Sequence, residues 1–164
     1  MRLRAATAFV LLAAGMAAAQ DKARPAGYDR LQMFVGTWTI EGREDRYREK
    51  CDWFEGRFMI VCNTEAKRKD GGVTKSMSFI GYLPEEDVVT YHGFNSRGRN
   101  ETQRGGFRGS TFRVEGEAVD GGKKVKSRVT ITPRADGTFT LLSESSTGGG
   151  PWVADGTFLY KAVR

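Results

Sequence analysis

The feature that most constrains the fold is a succession of short segments in which apolar and polar residues alternate, each ended by a glycine-rich or charged turn. The clearest segment spans residues 124–132, where Val125, Val129 and Ile131 fall on one face and lysine, arginine and threonine on the other. Such alternation is typical of a β-strand with one face on a core. About nine or ten segments of this kind follow one another after residue 36. The sequence therefore predicts an all-β domain.

The short turns between the segments favour antiparallel pairing of neighbours in chain order. An up-and-down antiparallel barrel of eight to ten strands pairs its strands in this way and leaves no exposed sheet edge. A sandwich of two sheets is the alternative. Glycines inside or beside the predicted strands suit the bends of a curved barrel wall. They are Gly81, Gly93, Gly105, Gly109 and Gly116.

The first residues have the composition of a secretory signal peptide. Arg2 and Arg4 precede an apolar run over residues 5–14, and alanines at 17–19 provide the small residues of a cleavage site before Gln20. The run is shorter than the roughly 20 residues of a transmembrane helix. We therefore expect cleavage near Ala19-Gln20 and a periplasmic or secreted protein, with an uncleaved N-terminal anchor as the alternative.

The rest of the chain predicts a single domain. After the signal peptide, residues 1–19, the polar residues 20–26 form a leader, and residues 27–164 form the barrel. Apolar residues at spacings of three and four predict one short helix over residues 27–34, before the first strand.

The two cysteines, Cys51 and Cys62, predict a disulfide, because an even count in an exported chain favours pairing. Gly56-Arg57 lies between them, and a two-residue turn there makes a β-hairpin. In that register the cysteines face each other, but as a hydrogen-bonded pair, whose Cα atoms are farther apart than suits a disulfide. A bulge or a longer turn would remove the conflict. Two free buried thiols are the alternative.

The charge of the chain does not indicate a nucleic-acid partner. Its 26 basic and 20 acidic residues give a net charge of +6, and the basic residues are scattered among the acidic ones rather than gathered in one stripe. No second apolar stretch approaches membrane-spanning length. We expect a small-molecule partner, no nucleic acid and no stable membrane anchor, and the oligomeric state stays open.

The segment LQMFVGTWTI joins the predicted helix to the first strand. A short helix leading into Gly36-x-Trp38 resembles the start of lipocalins and other calycin barrels. The closer similarity is to a bacterial lipocalin-like family of unknown function. The similarity lies in the start L-x-x-F-x-G-x-W, here Leu31, Phe34, Gly36 and Trp38, and in the segment FIGYLPEEDVVTYHGFNSRG at residues 79–98.

The resemblance covers most of residues 28–163. It implies a closed barrel in which Trp38 plugs one end and a basic residue near the last strand, Lys161 or Arg164, packs over the indole ring. No activity is agreed for this family, so the resemblance implies neither a reaction nor a ligand.

Aromatic and polar residues of the fifth and sixth predicted strands are the candidates for a ligand pocket. A barrel pocket for a small apolar or amphipathic molecule combines apolar walls with a few polar groups. The candidates for the cavity or its mouth are Tyr91, His92, Phe94, Arg104 and Phe107. Arg97, Arg99, Arg104 and Arg108 form either a basic mouth that attracts an anionic head group or a solvated outer face.

His92 is the only histidine and leaves other functions open. Beside a role as a plain wall residue, it could ligate a haem iron or act as the general base of an isomerase- or hydrolase-like barrel. No Gly-x-Ser-x-Gly motif provides a nucleophile, so no catalytic residue is predicted. The cysteines and the histidine lack metal-site spacing, and neither a metal nor a cofactor is predicted. A filled barrel acting as a structural or interaction module is a further hypothesis.

Overall fold

The computed structural model describes residues 25–163, which form a closed antiparallel β-barrel of ten strands, as predicted. The predicted signal peptide, most of the leader and Arg164 lie outside the described residues. No helix in the described part of the chain is long and apolar enough to cross a membrane. The strands are β1 (Gly36–Ile40), β2 (Tyr47–Trp53), β3 (Met59–Lys67), β4 (Val73–Leu83), β5 (Val88–Asn95), β6 (Asn100–Arg108), β7 (Thr111–Asp120), β8 (Lys123–Pro133), β9 (Phe139–Ser146) and β10 (Val153–Ala162).

The barrel closes because each strand pairs with the next in the chain and β10 returns to pair with β1. In this last pairing Trp38 lies opposite Ala162 and Ile40 opposite Tyr160. This closure rules out the two-sheet sandwich. It also leaves no strand edge in need of a partner, which is the physical advantage of the barrel over a flat sheet.

The predicted helix is a 3-10 helix, Ala26–Phe34, that covers one end of the barrel. Its buried residues are Tyr28, Leu31 and Phe34, spaced by three, which is one turn of a 3-10 helix and places them on one face. The Phe34 ring meets the Phe112 ring edge-on at 5.0 Å, and the Tyr28 ring meets Tyr82 at 5.2 Å. We refer to this aromatic region as the helix-capped end.

Gly36 and Trp38 join the helix to the barrel wall. The indole nitrogen of Trp38 donates a hydrogen bond to the Phe34 carbonyl at 2.9 Å. Gly36 has a φ of +147°, which side-chain-bearing residues rarely adopt, and a Cβ there would lie 3.5 Å from the indole ring. A residue with a side chain would therefore be strained at this position.

The cation expected over the Trp38 ring is not Lys161. The Lys161 ammonium pairs instead with Glu41 at 2.6 Å, because alternation along β10 places Lys161 on the other side of the strand from Tyr160. The Trp38 ring packs edge-on against Phe139, with 4.9 Å between ring centroids.

The predicted disulfide between Cys51 and Cys62 is present, with the cysteines directly opposite each other on β2 and β3. The turn is longer than two residues: it contains a 3-10 segment, Glu55–Arg57, and the Phe54 amide donates to the Met59 carbonyl at 2.7 Å. Counting back from that hydrogen-bonded pair, the cysteines form a non-hydrogen-bonded pair, where the strands are closer. Their Cα atoms are 4.0 Å apart. The longer turn thus removes the conflict in the sequence-based hairpin.

Candidate ligand cavity

The interior of the barrel contains a cavity of about 290 Å³. Residues of all ten strands and of the N-terminal helix contribute to its wall. For scale, an engineered apolar cavity of about 150 Å³ binds benzene. The space is therefore large enough for a small organic molecule rather than for a few waters alone.

The apolar part of the wall includes the aromatic residues of the helix-capped end. Phe34, Trp38, Phe112 and Phe139 line it, together with aliphatic side chains of β4, β7, β8 and β9. Phe139 also stacks on Tyr160, with ring centroids 4.8 Å apart and planes 15° from parallel. This aromatic surface suits a flat or chain-like apolar group.

A polar cluster of Tyr47, Glu49, Thr64 and Tyr160 lies on β2, β3 and β10, where Glu49 is directly opposite Trp38 in the strand pairing. β2 runs toward the helix, so its first residues lie far from the helix while its last residue, Trp53, hydrogen-bonds to Gln32 of the helix at 2.9 Å. The hydroxyl groups of Tyr47 and Tyr160 are 2.9 Å apart. Glu49 accepts a hydrogen bond from Thr64 at 3.2 Å and one from Tyr47 at 3.4 Å.

Both hydrogen bonds to Glu49 are long for a hydroxyl donor to a carboxylate, for which about 2.5–2.7 Å is usual. Among the described residues, no Lys, Arg or His forms a salt bridge with Glu49. Burial raises the pKa of Glu49, and the hydrogen bonds from Thr64 and Tyr47 lower it in part. Glu49 is therefore a half-buried carboxylate with weak compensation from the protein.

The tyrosines around Glu49 are held in their neutral form. Burial is the largest cause that raises the pKa of Tyr47, Tyr91 and Tyr160 above the ordinary tyrosine value. The negative charge of Glu49 raises the pKa of all three further, so all three lie within its electrostatic reach. Their hydroxyl groups are available to donate or accept hydrogen bonds.

Two further polar side chains of β6 line the cavity, Glu101 and Gln103. Glu101 forms a salt bridge with Arg99 at 2.7 Å, so its charge is compensated within the protein. Gln103 is 1% exposed, and its amide nitrogen donates to the Ser127 hydroxyl at 2.8 Å. Its carbonyl oxygen has no hydrogen-bond partner among the described residues.

Of the five predicted ligand residues, Tyr91 lines the cavity. His92, Phe94 and Arg104 are exposed and do not line it: the His92 ring is 3.3 Å from the Thr102 hydroxyl, and Arg104 pairs with Glu86 at 2.7 Å. Phe107 packs at the helix-capped end, against Phe112 and beneath the Arg30 guanidinium. Neighbours in a strand point to opposite faces, so Tyr91 and His92 cannot both face the cavity.

The arginines proposed as a basic mouth do not converge on the cavity. Arg97 and Arg108 are exposed, whereas Arg99 and Arg104 form salt bridges with Glu101 and Glu86. Of these four arginines, none lines the cavity. The arrangement matches the solvated outer face more closely than a binding site for an anionic head group.

Sequence reasoning missed Tyr47, Glu49, Gln103 and Tyr160. One signal was available in the sequence. Tyr47, Glu49 and Cys51 alternate along β2, so the two polar residues share a face with the predicted disulfide. A glutamate between an arginine and a lysine has the pattern of a solvent-exposed strand face, which hid its inward orientation.

One group of potential metal ligands lies on the cavity wall, but it does not fit a metal. A Glu49 oxygen and the sulfur atoms of Cys51 and Cys62 lie within 4.8 Å of one another. Both sulfurs are bonded in the disulfide, whereas a cysteine ligand must be a thiolate.

Comparison with known proteins does not assign the chain to a family. No protein-family model matches the sequence, and no curated protein matches it significantly. The function must therefore be argued from the cavity itself.

Proposed function

We propose that this chain is a lipocalin-like barrel that binds a small apolar or amphipathic molecule in its interior. The observation that carries the proposal is the cavity of about 290 Å³, with aromatic walls and a few polar groups. Ligand sites in proteins usually have this composition, in which apolar walls provide contact area and a few polar groups fix orientation. The family resemblance of the Gly36-x-Trp38 start is consistent with this proposal.

The same proposal places the protein in the periplasm or outside the cell. The signal-peptide pattern at residues 1–19 supports it, as does the Cys51–Cys62 disulfide, since disulfides persist mainly in oxidising compartments. Peptide mapping of the protein recovered from the periplasm, without reductant, tests both features at once. We expect an N-terminus near Gln20 and a cross-linked peptide pair; an intact N-terminus or free thiols would count against export.

Neither alternative function has comparable support. An enzyme that uses His92 needs that side chain beside a bound substrate, but His92 lies on the exposed face, next to Thr102. A filled barrel predicts an interior packed to the density of a protein core. The cavity is larger than that hypothesis allows.

The binding test uses phenylbutanol, an uncharged aromatic molecule, and titration calorimetry on the disulfide-bonded protein. We expect measurable binding by the wild type and a loss of at least about tenfold in Leu141→Trp, which fills the cavity. Leu142→Trp is the matched control, because Leu142 is the next residue of β9 and is not part of the cavity wall. Equal loss in both variants, or equal affinity in wild type and Leu141→Trp, would contradict an internal site.

A further inference from the structure

We propose that the cavity selects a ligand with a positively charged amine head group, and that the carboxylate of Glu49 is the group that binds it. This proposal rests on the proposed function, because it names the chemistry of the molecule that the cavity holds. It gives the head group the opposite charge from the one that the arginine-rich sequence suggested.

The first step is the charge of the cavity wall. The wall includes two carboxylates, Glu49 and Glu101, and none of the described residues that line it is a lysine, an arginine or a histidine. The Glu101 carboxylate has its partner in Arg99. Glu49 has only the two hydroxyl donors, Thr64 and Tyr47, so its negative charge is the one that the described protein leaves uncompensated.

The second step is the cost of that arrangement. Moving a charge out of water, even in part as at the half-buried Glu49, is unfavourable unless the charge is paired and hydrogen-bonded. A carboxylate has about four acceptor positions, and Glu49 uses two of them on long contacts. A ligand ammonium brings a positive charge and up to three N–H donors, and charge-assisted hydrogen bonds are the strong ones. A carboxylate or phosphate head group would instead repel Glu49.

The third step is a second unused acceptor in the same cavity. Gln103 is 1% exposed, lines the cavity and has a carbonyl oxygen without a partner among the described residues. A buried polar atom of this kind usually has a partner in a native protein, which can be a ligand. Glu49, and not Gln103, decides the sign of the ligand charge, because an amide can rotate to present a donor.

The fourth step is the size of the apolar body. The cavity is about twice the volume of one that binds benzene, so it has room for a phenyl ring with a short alkyl chain. The ring would lie against the aromatic wall near Trp38 and Phe139, with the ammonium at Glu49. The hydroxyl groups of Tyr47 and Tyr160 belong to the polar cluster and can accept hydrogen bonds from the ammonium.

The test compares three probes with the same body and different heads: phenylbutylamine, phenylbutanol and phenylbutanoic acid, titrated at neutral pH. We expect the amine to bind about tenfold or more tightly than the alcohol, and the acid to bind most weakly. In Glu49→Gln we expect the ratio of amine to alcohol affinity to fall about tenfold or more, because the substitution removes the charge and keeps the shape of the side chain. Retained alcohol binding also shows that the variant is folded.

Two further variants separate contact from general electrostatics. Glu65→Gln makes the same change of net charge on the exposed face of β3, where Glu65 pairs with Lys75. This variant should keep the amine affinity within about twofold of the wild-type value. Glu49→Asp keeps the charge and should still prefer the amine over the alcohol. If Glu49→Gln does not fold, the aspartate variant and the wild-type order of probes still decide the proposal.

Several outcomes would overturn the amine proposal while leaving the cavity intact. They are equal affinity for amine and alcohol in the wild type, an amine preference that survives Glu49→Gln, and an equal loss in Glu65→Gln. Failure of all three probes to bind would instead overturn the proposed function, and with it the choice of ligand.

Discussion

Two regions of the barrel interior are built on different principles. The helix-capped end is closed by contacts between aromatic and aliphatic side chains, with Leu31 fully buried. The polar cluster on β2, β3 and β10 contains a poorly compensated carboxylate, and a covalent bond between β2 and β3 lies beside it. The contrast indicates that packing holds the helix-capped end, while the polar cluster gives up some stability by keeping a carboxylate without a charged partner among the described residues.

The largest expected effect lies at the helix-capped end. Leu31→Ala removes a side chain with 0% exposure and leaves a cavity beneath the helix. We expect a loss of about 3 kcal/mol in the free energy of unfolding, measured by urea denaturation. Because Leu31 does not line the ligand cavity, phenylbutanol should still bind to the folded fraction. A loss below about 1 kcal/mol would mean that the helix contributes little to the barrel.

The next largest effect concerns the covalent bond beside the polar cluster. The double substitution Cys51→Ala, Cys62→Ala opens a bridge between residues that are 11 apart in the sequence. We expect the free energy of unfolding to fall by about 2–3 kcal/mol. A reducing agent should produce a similar loss in the wild type and none in the double variant. A reductant effect that persists in the double variant would show that the loss has another cause.

The third prediction concerns how amine binding depends on pH. Burial raises the pKa of Glu49, so protonation removes its charge at a higher pH than for an ordinary glutamate. The groups that face it are Tyr47, Tyr91 and Tyr160, which stay neutral because their pKa values are raised, and Glu101, which is paired with Arg99. We expect the affinity for phenylbutylamine to fall about tenfold as the pH is lowered through the Glu49 pKa.

Phenylbutanol provides the control for this pH series, since it is uncharged throughout and its affinity should stay flat. In Glu49→Gln the amine affinity should lose most of its pH dependence. An amine affinity that is constant from acidic to neutral pH in the wild type would show that the Glu49 charge does not take part in binding.

The smallest effect is a gain in stability. The folded-state pKa of Glu49 is raised above its unfolded value, so folding favours the protonated form, and this contribution is present at low pH and lost as the pH rises through the folded pKa. Glutamine has no charge to lose. Without ligand, we expect the free energy of unfolding of Glu49→Gln to exceed that of the wild type by about 1 kcal/mol near pH 8. Near pH 4 the two values should differ little.

Thermal unfolding at the two pH values measures this difference. A variant that is less stable than the wild type at both pH values would mean that the hydrogen bonds from Thr64 and Tyr47 compensate the carboxylate fully. The polar cluster would then impose no cost on the stability of the fold.

Most of the fold could be predicted from the sequence, because strand alternation and short turns are local properties. The alternation of residues 124–132 and the paired cysteines fix strands, faces and neighbours without any knowledge of distant contacts. The hairpin at Gly56 shows the limit: the register was right, but the turn was longer than two residues, and that difference changed the class of the cysteine pair.

The candidate site could be predicted only in part. Alternation places Tyr91 and His92 on opposite faces of β5, but it does not say which face is inside when both contain aromatic residues. Glu49 has the opposite difficulty, since its flanking charged residues indicate solvent although the side chain faces the cavity. Closure of the barrel by β10 brings Tyr160 beside Tyr47, and no local pattern contains a contact between residues 113 apart in the chain.

The pairing of β10 with β1 has a practical consequence for handling the protein. With ten antiparallel strands, the chain enters β1 and leaves β10 at the same end of the barrel, the helix-capped end. A tag, a tether or a fusion partner joined directly at Pro25 or Val163 would therefore begin on that side. The rim at the other end, where β2 begins with Tyr47, faces away from both attachment points.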